Sequence, residues 1–155
     1  MENDMKKMKI ILASTLLAWA IPVLAHDEGH GPKLNDTGNY GGILTAVVES
    51  KHAPLGAKAP LVYKAELTRS EDGTVRVYVY DAAMKPLSQD MLPKTAQAFL
   101  ITSQADKEVK TPFFLSLGEA NFIGKAPTPA SKPFSIDVSF KTKDKDLLAG
   151  FDNLD

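Results

Sequence analysis

Two stretches of the sequence place an apolar side chain at every second position. The apolar residues of this pattern are Val75, Val77, Val79, Phe134, Ile136, Val138 and Phe140. A period of two is the spacing at which a β-strand turns one set of side chains to one face. We therefore expect these seven residues to face the protein interior from an antiparallel sheet whose other face is more exposed to solvent.

Other segments favour strands by their content of β-branched and aromatic residues. They are residues 43–49, 61–68, 96–102 and 109–117. The pair Asp72-Gly73 separates two of the predicted strands and suits a tight hairpin turn. About seven short strands without a long helical pattern predict an all-β protein, either an antiparallel immunoglobulin-like β-sandwich or a small barrel.

The first 25 residues are typical of a secretory signal. Lys6, Lys7 and Lys9 precede an apolar run over residues 10–24. Ala25 then ends a stretch of small and aliphatic residues that is typical of a signal-peptidase cleavage site. The run is shorter than the roughly 20 residues that span a bilayer as a helix. We predict a signal peptide over residues 1–25, a flexible His-rich and acidic segment over 26–39, and a single β domain over 40–155. The product is expected to be periplasmic or secreted, with no membrane span after cleavage.

Charge and cysteine content exclude several functions. The net charge of −1 gives no basic excess for nucleic-acid binding. The chain has no cysteine, so neither disulfides nor thiolate ligands are available. It also has no G-x-S-x-G, H-E-x-x-H or P-loop motif, and we expect no enzymatic activity. His52 lies in a loop-like stretch and is expected to face solvent.

A cluster of possible metal ligands follows the predicted cleavage point. It consists of His26, Asp27, Glu28 and His30. If His26 is the first residue, its α-amine and its ring can chelate one ion together, an arrangement that suits Cu(II) and to a lesser degree Zn(II). The alternative is that these residues are an ordinary polar leader, and that the domain is a structural or protein-interaction module of the cell envelope.

Two other features have simpler interpretations. Met84 and Met91 offer thioether sulfur, but methionine more often fills gaps in a core. The mixed-charge residues 141–146 and the mildly apolar residues 147–154 predict a solvated edge followed by a weakly packed segment.

Several short motifs resemble those of small exported β-proteins that accompany heavy-metal efflux systems, and of similar modules in periplasmic efflux adaptor subunits. The motifs are Tyr40-Gly41-Gly42, the stretch 63–67 and the stretch 75–87. The resemblance covers residues 26–90 and implies a role in metal handling, with a metal-efflux or other envelope protein as partner. The chain departs from the pattern at Tyr40 and Lys64, where the resembling proteins have histidine, so the N-terminal cluster remains the candidate metal site.

Overall fold

The computed structural model describes residues 30–155 and consists almost entirely of β-strands. The strands are β1 (Ile43–Glu49), β2 (Tyr63–Arg69), β3 (Thr74–Tyr80), β4 (Thr95–Gln104), β5 (Lys107–Leu117), β6 (Phe122–Lys125), β7 (Phe134–Lys141) and β8 (Asp146–Leu154). Short 3₁₀ segments, Ser50–Lys58 and Gln89–Met91, lie in two of the connections.

The eight strands close into one antiparallel barrel in the order β1-β2-β3-β6-β5-β4-β7-β8. The prediction of an all-β antiparallel fold is confirmed. Of the two predicted architectures, the fold is the barrel, and it has eight strands where about seven were expected. The hairpin at Asp72-Gly73 also forms, with the Gly73 N–H donating to the Ser70 carbonyl.

The barrel interior is filled by apolar side chains from all eight strands. The seven residues of the period-two pattern are all at most 5% exposed, so their predicted inward orientation is confirmed. Phe122 and Phe140 approach each other inside the barrel with ring centroids 5.5 Å apart. Burial of large aromatic and aliphatic side chains is the main stabilisation available to a chain without disulfides.

The prediction of a weakly packed segment at residues 147–154 is wrong, whereas residues 141–146 are largely exposed, as expected. Residues 147–154 form most of β8, which pairs with both β1 and β7 and closes the barrel. Leu147, Ala149 and Phe151 are fully buried. The alternation of apolar residues in β8 is interrupted because the β7–β8 ladder has a bulge between Phe134 and Ile136, which shifts the register. β6 was also missed, since four residues are too short for a periodic signal.

Strand β1 is covered on both faces. Val47 points into the barrel, whereas Ala46 and Val48 lie on the outside in a small apolar cluster with Ala59. The segment that precedes β1 supplies the cover, because Leu34 packs against this outer cluster. Residues 30–42 therefore run along the outer wall of the barrel.

The core position of β8 generates a stability prediction. Phe151→Ala should lower the free energy of unfolding by about 3–5 kcal/mol, since it removes a fully buried ring from the interior. Leu148→Ala is the matched control: Leu148 is the outward, half-buried neighbour on the same strand, and its loss should cost about 1 kcal/mol or less. Urea denaturation followed by circular dichroism measures both. Equal, small effects would mean that this strand does not close the core.

Candidate functional site

A buried carboxylate on β2 joins the N-terminal segment to the barrel. The Glu66 side chain lies on the outer face of the wall, yet it is 0% exposed because the segment covers it. The backbone N–H groups of Asn39, Tyr40 and Gly42 each donate to its carboxylate at 2.8 Å. The Tyr80 hydroxyl donates a fourth hydrogen bond at 2.7 Å. Each carboxylate oxygen thus accepts two hydrogen bonds.

The ionised form of Glu66 is favoured by these donors. Burial alone would raise the pKa of Glu66, but its four hydrogen bonds together hold that pKa below the ordinary value. Burial and the negative charge of Glu66 raise the pKa of Tyr80, which stays a neutral donor. Gly38 allows this close approach, because a Cβ at that position would overlap the Glu66 carboxylate. The arrangement stabilises the fold and leaves no free oxygen lone pair of Glu66 for a metal ion.

Tyr40 and Lys64 lie near Glu66: the Tyr40 N–H donates to it, and Lys64 comes two residues before it on β2. The Lys64 ammonium, 8% exposed, donates to Asp36 at 2.6 Å and to the Ala82 carbonyl at 2.7 Å. The Tyr40 ring stacks on Tyr78 with centroids 3.9 Å apart. Lys64 therefore places a cation, already paired with Asp36, in this region.

His30 lies against the barrel about ten residues before this site. Its Nε2 atom is 3.3 Å from Oδ1 of Asp137 on β7, and its side chain is 39% exposed. The contact is an ion pair and too poorly aligned for a hydrogen bond, so Oδ1 is buried without a hydrogen-bond partner among residues 30–155. The ring crosses β8 at Gly150, where a Cβ would overlap it.

Charge favours the protonated form of His30. The contact with the Asp137 carboxylate raises the pKa of His30 above its ordinary value, and Asp152 adds to the effect. Partial burial and Lys110 act in the opposite direction. Because the folded-state pKa is raised, this ion pair contributes fully just below the unfolded value of 6.5, where Asp137 is still ionised, and the contribution is lost as pH rises through the folded pKa.

Of the four predicted metal ligands, the structure places only His30. His26, Asp27 and Glu28 lie outside the described residues. Within residues 30–155, no group of three or more His, Asp or Glu side chains is close enough to hold a metal ion. Asp36, which lies ten residues beyond His26, is engaged by Lys64.

Other residues considered from the sequence have ordinary surroundings. His52 is partly exposed in the 3₁₀ segment Ser50–Lys58. Met84 adopts a positive φ in the turn after β3, and Met91 is 46% exposed. Met91 is therefore not a core residue, contrary to its expected role. The partner of His30 was missed because Asp137 is far away in the sequence, and only the barrel closure brings the two together.

A groove lies at one end of the barrel. It has a volume of about 530 Å³ and lies between the β4–β5 hairpin and the chain entering β7. Its charged side chains are Asp106, Glu108, Lys132 and Asp152. These charges are of both signs and do not form a metal-binding group.

Comparison of the chain with protein-family models, with curated proteins and with solved structures finds no match. No helix within residues 30–155 is long and apolar enough to cross a membrane.

Glu66 should control how stability depends on pH. Glu66→Gln should lower the free energy of unfolding by about 1–3 kcal/mol at pH 7, since a neutral amide replaces an acceptor of four hydrogen bonds. The folded pKa of Glu66 is depressed, so its contribution is present above the unfolded value of 4.5 and is lost as pH falls through the folded pKa. The difference between wild type and variant should shrink over that range in urea denaturation.

Tyr80→Phe is the control for this experiment. It removes one of the four donors and keeps the carboxylate, so it should cost about 1 kcal/mol and preserve most of the pH dependence. If Glu66→Gln and Tyr80→Phe gave the same pH profile as wild type, the charge of Glu66 would not contribute to folding.

Proposed function

We propose that this chain is an exported, non-catalytic accessory protein that binds copper or zinc through its N-terminal segment and takes part in metal homeostasis or efflux. The proposed ligands are His26 and His30, with Asp27 or Glu28 supplying an oxygen. The proposal includes removal of residues 1–25, periplasmic or secreted localisation, and a metal-efflux or other envelope protein as partner. Its chief support is the pairing of His30 with Asp137.

Metal-binding histidines usually donate the N–H of their other ring nitrogen to a carboxylate or carbonyl oxygen. Asp137 places a carboxylate oxygen 3.3 Å from Nε2 of His30, so a small rotation of the ring would align this hydrogen bond when Nδ1 binds a metal ion. This leaves Nδ1 as the nitrogen that can donate a lone pair to a metal ion. The ring is 39% exposed, so an ion can reach it without opening the barrel.

The surroundings of His30 also favour a cation. Oδ1 of Asp137 is a buried acceptor with no hydrogen-bond partner in the described region, and such groups require an explanation in a folded protein. A positive charge on or next to the imidazole compensates this carboxylate. A metal ion bound at Nδ1 provides that charge at a pH where the ring itself is neutral.

The remaining nitrogen donors come from the start of the mature chain. If His26 is the first residue, its α-amine and its ring add two nitrogens to that of His30. Three nitrogens and one carboxylate favour Cu(II) over Zn(II), because Cu(II) prefers tetragonal nitrogen-rich coordination and heads the affinity order of divalent ions. All the nitrogens must be deprotonated to bind.

Calorimetric titration of a protein that begins at His26 tests the proposal. We expect one Cu(II) per chain, bound more tightly than Zn(II), with an affinity that falls as pH drops through about 6.5. One glycine added before His26 should weaken binding sharply because it separates the amine from the ring. His30→Ala should also weaken binding, whereas His52→Ala should not.

Equal affinity with and without the added glycine would contradict the role of the amine. Absence of binding in all forms would favour the alternative function, a structural or interaction domain of the envelope. The observation in favour of that alternative is Phe114, a large aromatic side chain that is 67% exposed on the barrel surface.

The contribution of Asp137 can be measured separately. Asp137→Asn should lower the affinity for Cu(II) by about tenfold at pH 7.5, since it removes the negative charge that supports the His30 ring. Asp144→Asn is the matched control, because it makes the same change of charge at an exposed residue of the β7–β8 turn. Identical affinities of the two variants would show that Asp137 only holds the segment in place.

A further inference from the structure

Strand β5 has no neighbouring strand along most of its outer edge. It pairs with β4 from Lys107 to Ser116, but β6 pairs with only Ser116 and Leu117. Residues 107–112 are all exposed, and in the described region no strand or isolated bridge covers this edge. Free N–H and C=O groups along a strand are a template for pairing with another strand.

The direction of these backbone groups follows from one contact. The Phe114 carbonyl approaches β6 so closely that a Cβ on Gly124 would overlap it. Backbone groups of successive residues in an antiparallel strand point to alternate sides. The backbone groups of Pro112, Lys110 and Glu108 therefore point to the same side of β5 as those of Phe114. Along these residues β6 has already ended, so that side has no neighbouring strand. Pro112 has no N–H, which leaves Lys110 and Glu108 with both groups free.

We propose that this edge of β5 pairs with the same edge of a second copy of the chain, antiparallel, about a two-fold axis at Val109. In this register Glu108 of each copy lies opposite Lys110 of the other. Both pairs exchange two backbone hydrogen bonds. Within one chain the Lys110 ammonium already lies 3.1 Å from the Glu108 carboxylate, and in the dimer the four charges alternate in sign along and across the strands, which adds stabilisation. A patch that pairs with itself in this way is the basis of a two-fold dimer.

Neighbouring registers are unfavourable. An axis at Lys110 sets the two Lys110 ammonium groups against each other, and an axis at Glu108 does the same for two carboxylates. An axis at Thr111 sets Lys110 opposite Pro112, which cannot donate a hydrogen bond. Charge complementarity therefore selects the axis at Val109. The contact involves few residues, so the dimer should be weak and transient.

Single cysteines can capture such a dimer, because the natural chain has none. Val109 is 37% exposed, and in the proposed register the two Val109 residues face each other as a non-hydrogen-bonded pair. Their Cα atoms would lie about 4.5 Å apart, within the range of a disulfide. Val109→Cys in the mature chain should therefore form a disulfide-linked dimer under mild oxidation.

Thr111→Cys is the matched control on the same strand and face. In the proposed register the two introduced thiols are about 13 Å apart along the strands, which is too far for a disulfide. A chelator is included so that metal bound by the N-terminal segment does not join two chains. Dimer formation is measured by non-reducing electrophoresis, and thermal melting under reducing conditions checks that both variants are folded.

The charges provide a second test in the Val109→Cys protein. Glu108→Lys should slow disulfide formation by about tenfold, since it sets lysines opposite each other. Adding Lys110→Glu should restore the original rate, because the opposite pairs are formed again with reversed signs. Equal crosslinking through Val109→Cys and Thr111→Cys, no crosslinking through either, or no rescue by the double charge reversal would each overturn the proposal.

Discussion

The hydrogen bonds of the buried Glu66 carboxylate attach the N-terminal segment to the outside of the barrel. The carboxylate accepts hydrogen bonds from three backbone N–H groups between Asn39 and Gly42 and from the Tyr80 hydroxyl. A carboxylate removed from water is costly unless each oxygen is fully hydrogen-bonded, and here both are. The N-terminal segment provides three of the four donors and covers Glu66, so the burial of this carboxylate depends on docking of the segment.

Further contacts hold the segment along the wall from residue 30 onward. Leu34 covers the outer side of β1, Asp36 pairs with Lys64, and His30 pairs with Asp137 across β7 and β8. Each contact is small by itself, and the ion pairs are partly exposed. Together they place a histidine on a rigid surface within reach of the start of the proposed mature chain, which an unattached tail would not do.

Much of the fold could be predicted from the sequence, because alternating apolar residues indicate both a β-strand and the face of it that is buried. The residues from Val75 to Val79 and from Phe134 to Phe140 illustrate this. β8 could not be predicted, since Gly150 and the bulge opposite Phe134 break its alternation and a charged turn precedes it. The candidate site was predictable only in part. His30 is visible as a histidine, but its pairing with Asp137 depends on the β7–β8 ladder, which no local pattern specifies.

The metal-binding proposal and the dimer proposal concern different parts of the barrel. In the closed strand order, β5 is four strands from β1 in either direction, so its free edge lies opposite the strand that the N-terminal segment covers. Pairing through β5 would leave Glu66 and its donors untouched in both copies. Lys110 links the two regions, because it lies in the proposed contact and its charge lowers the pKa of His30. A two-fold dimer would therefore act on the N-terminal segment through Lys110 and not through Glu66.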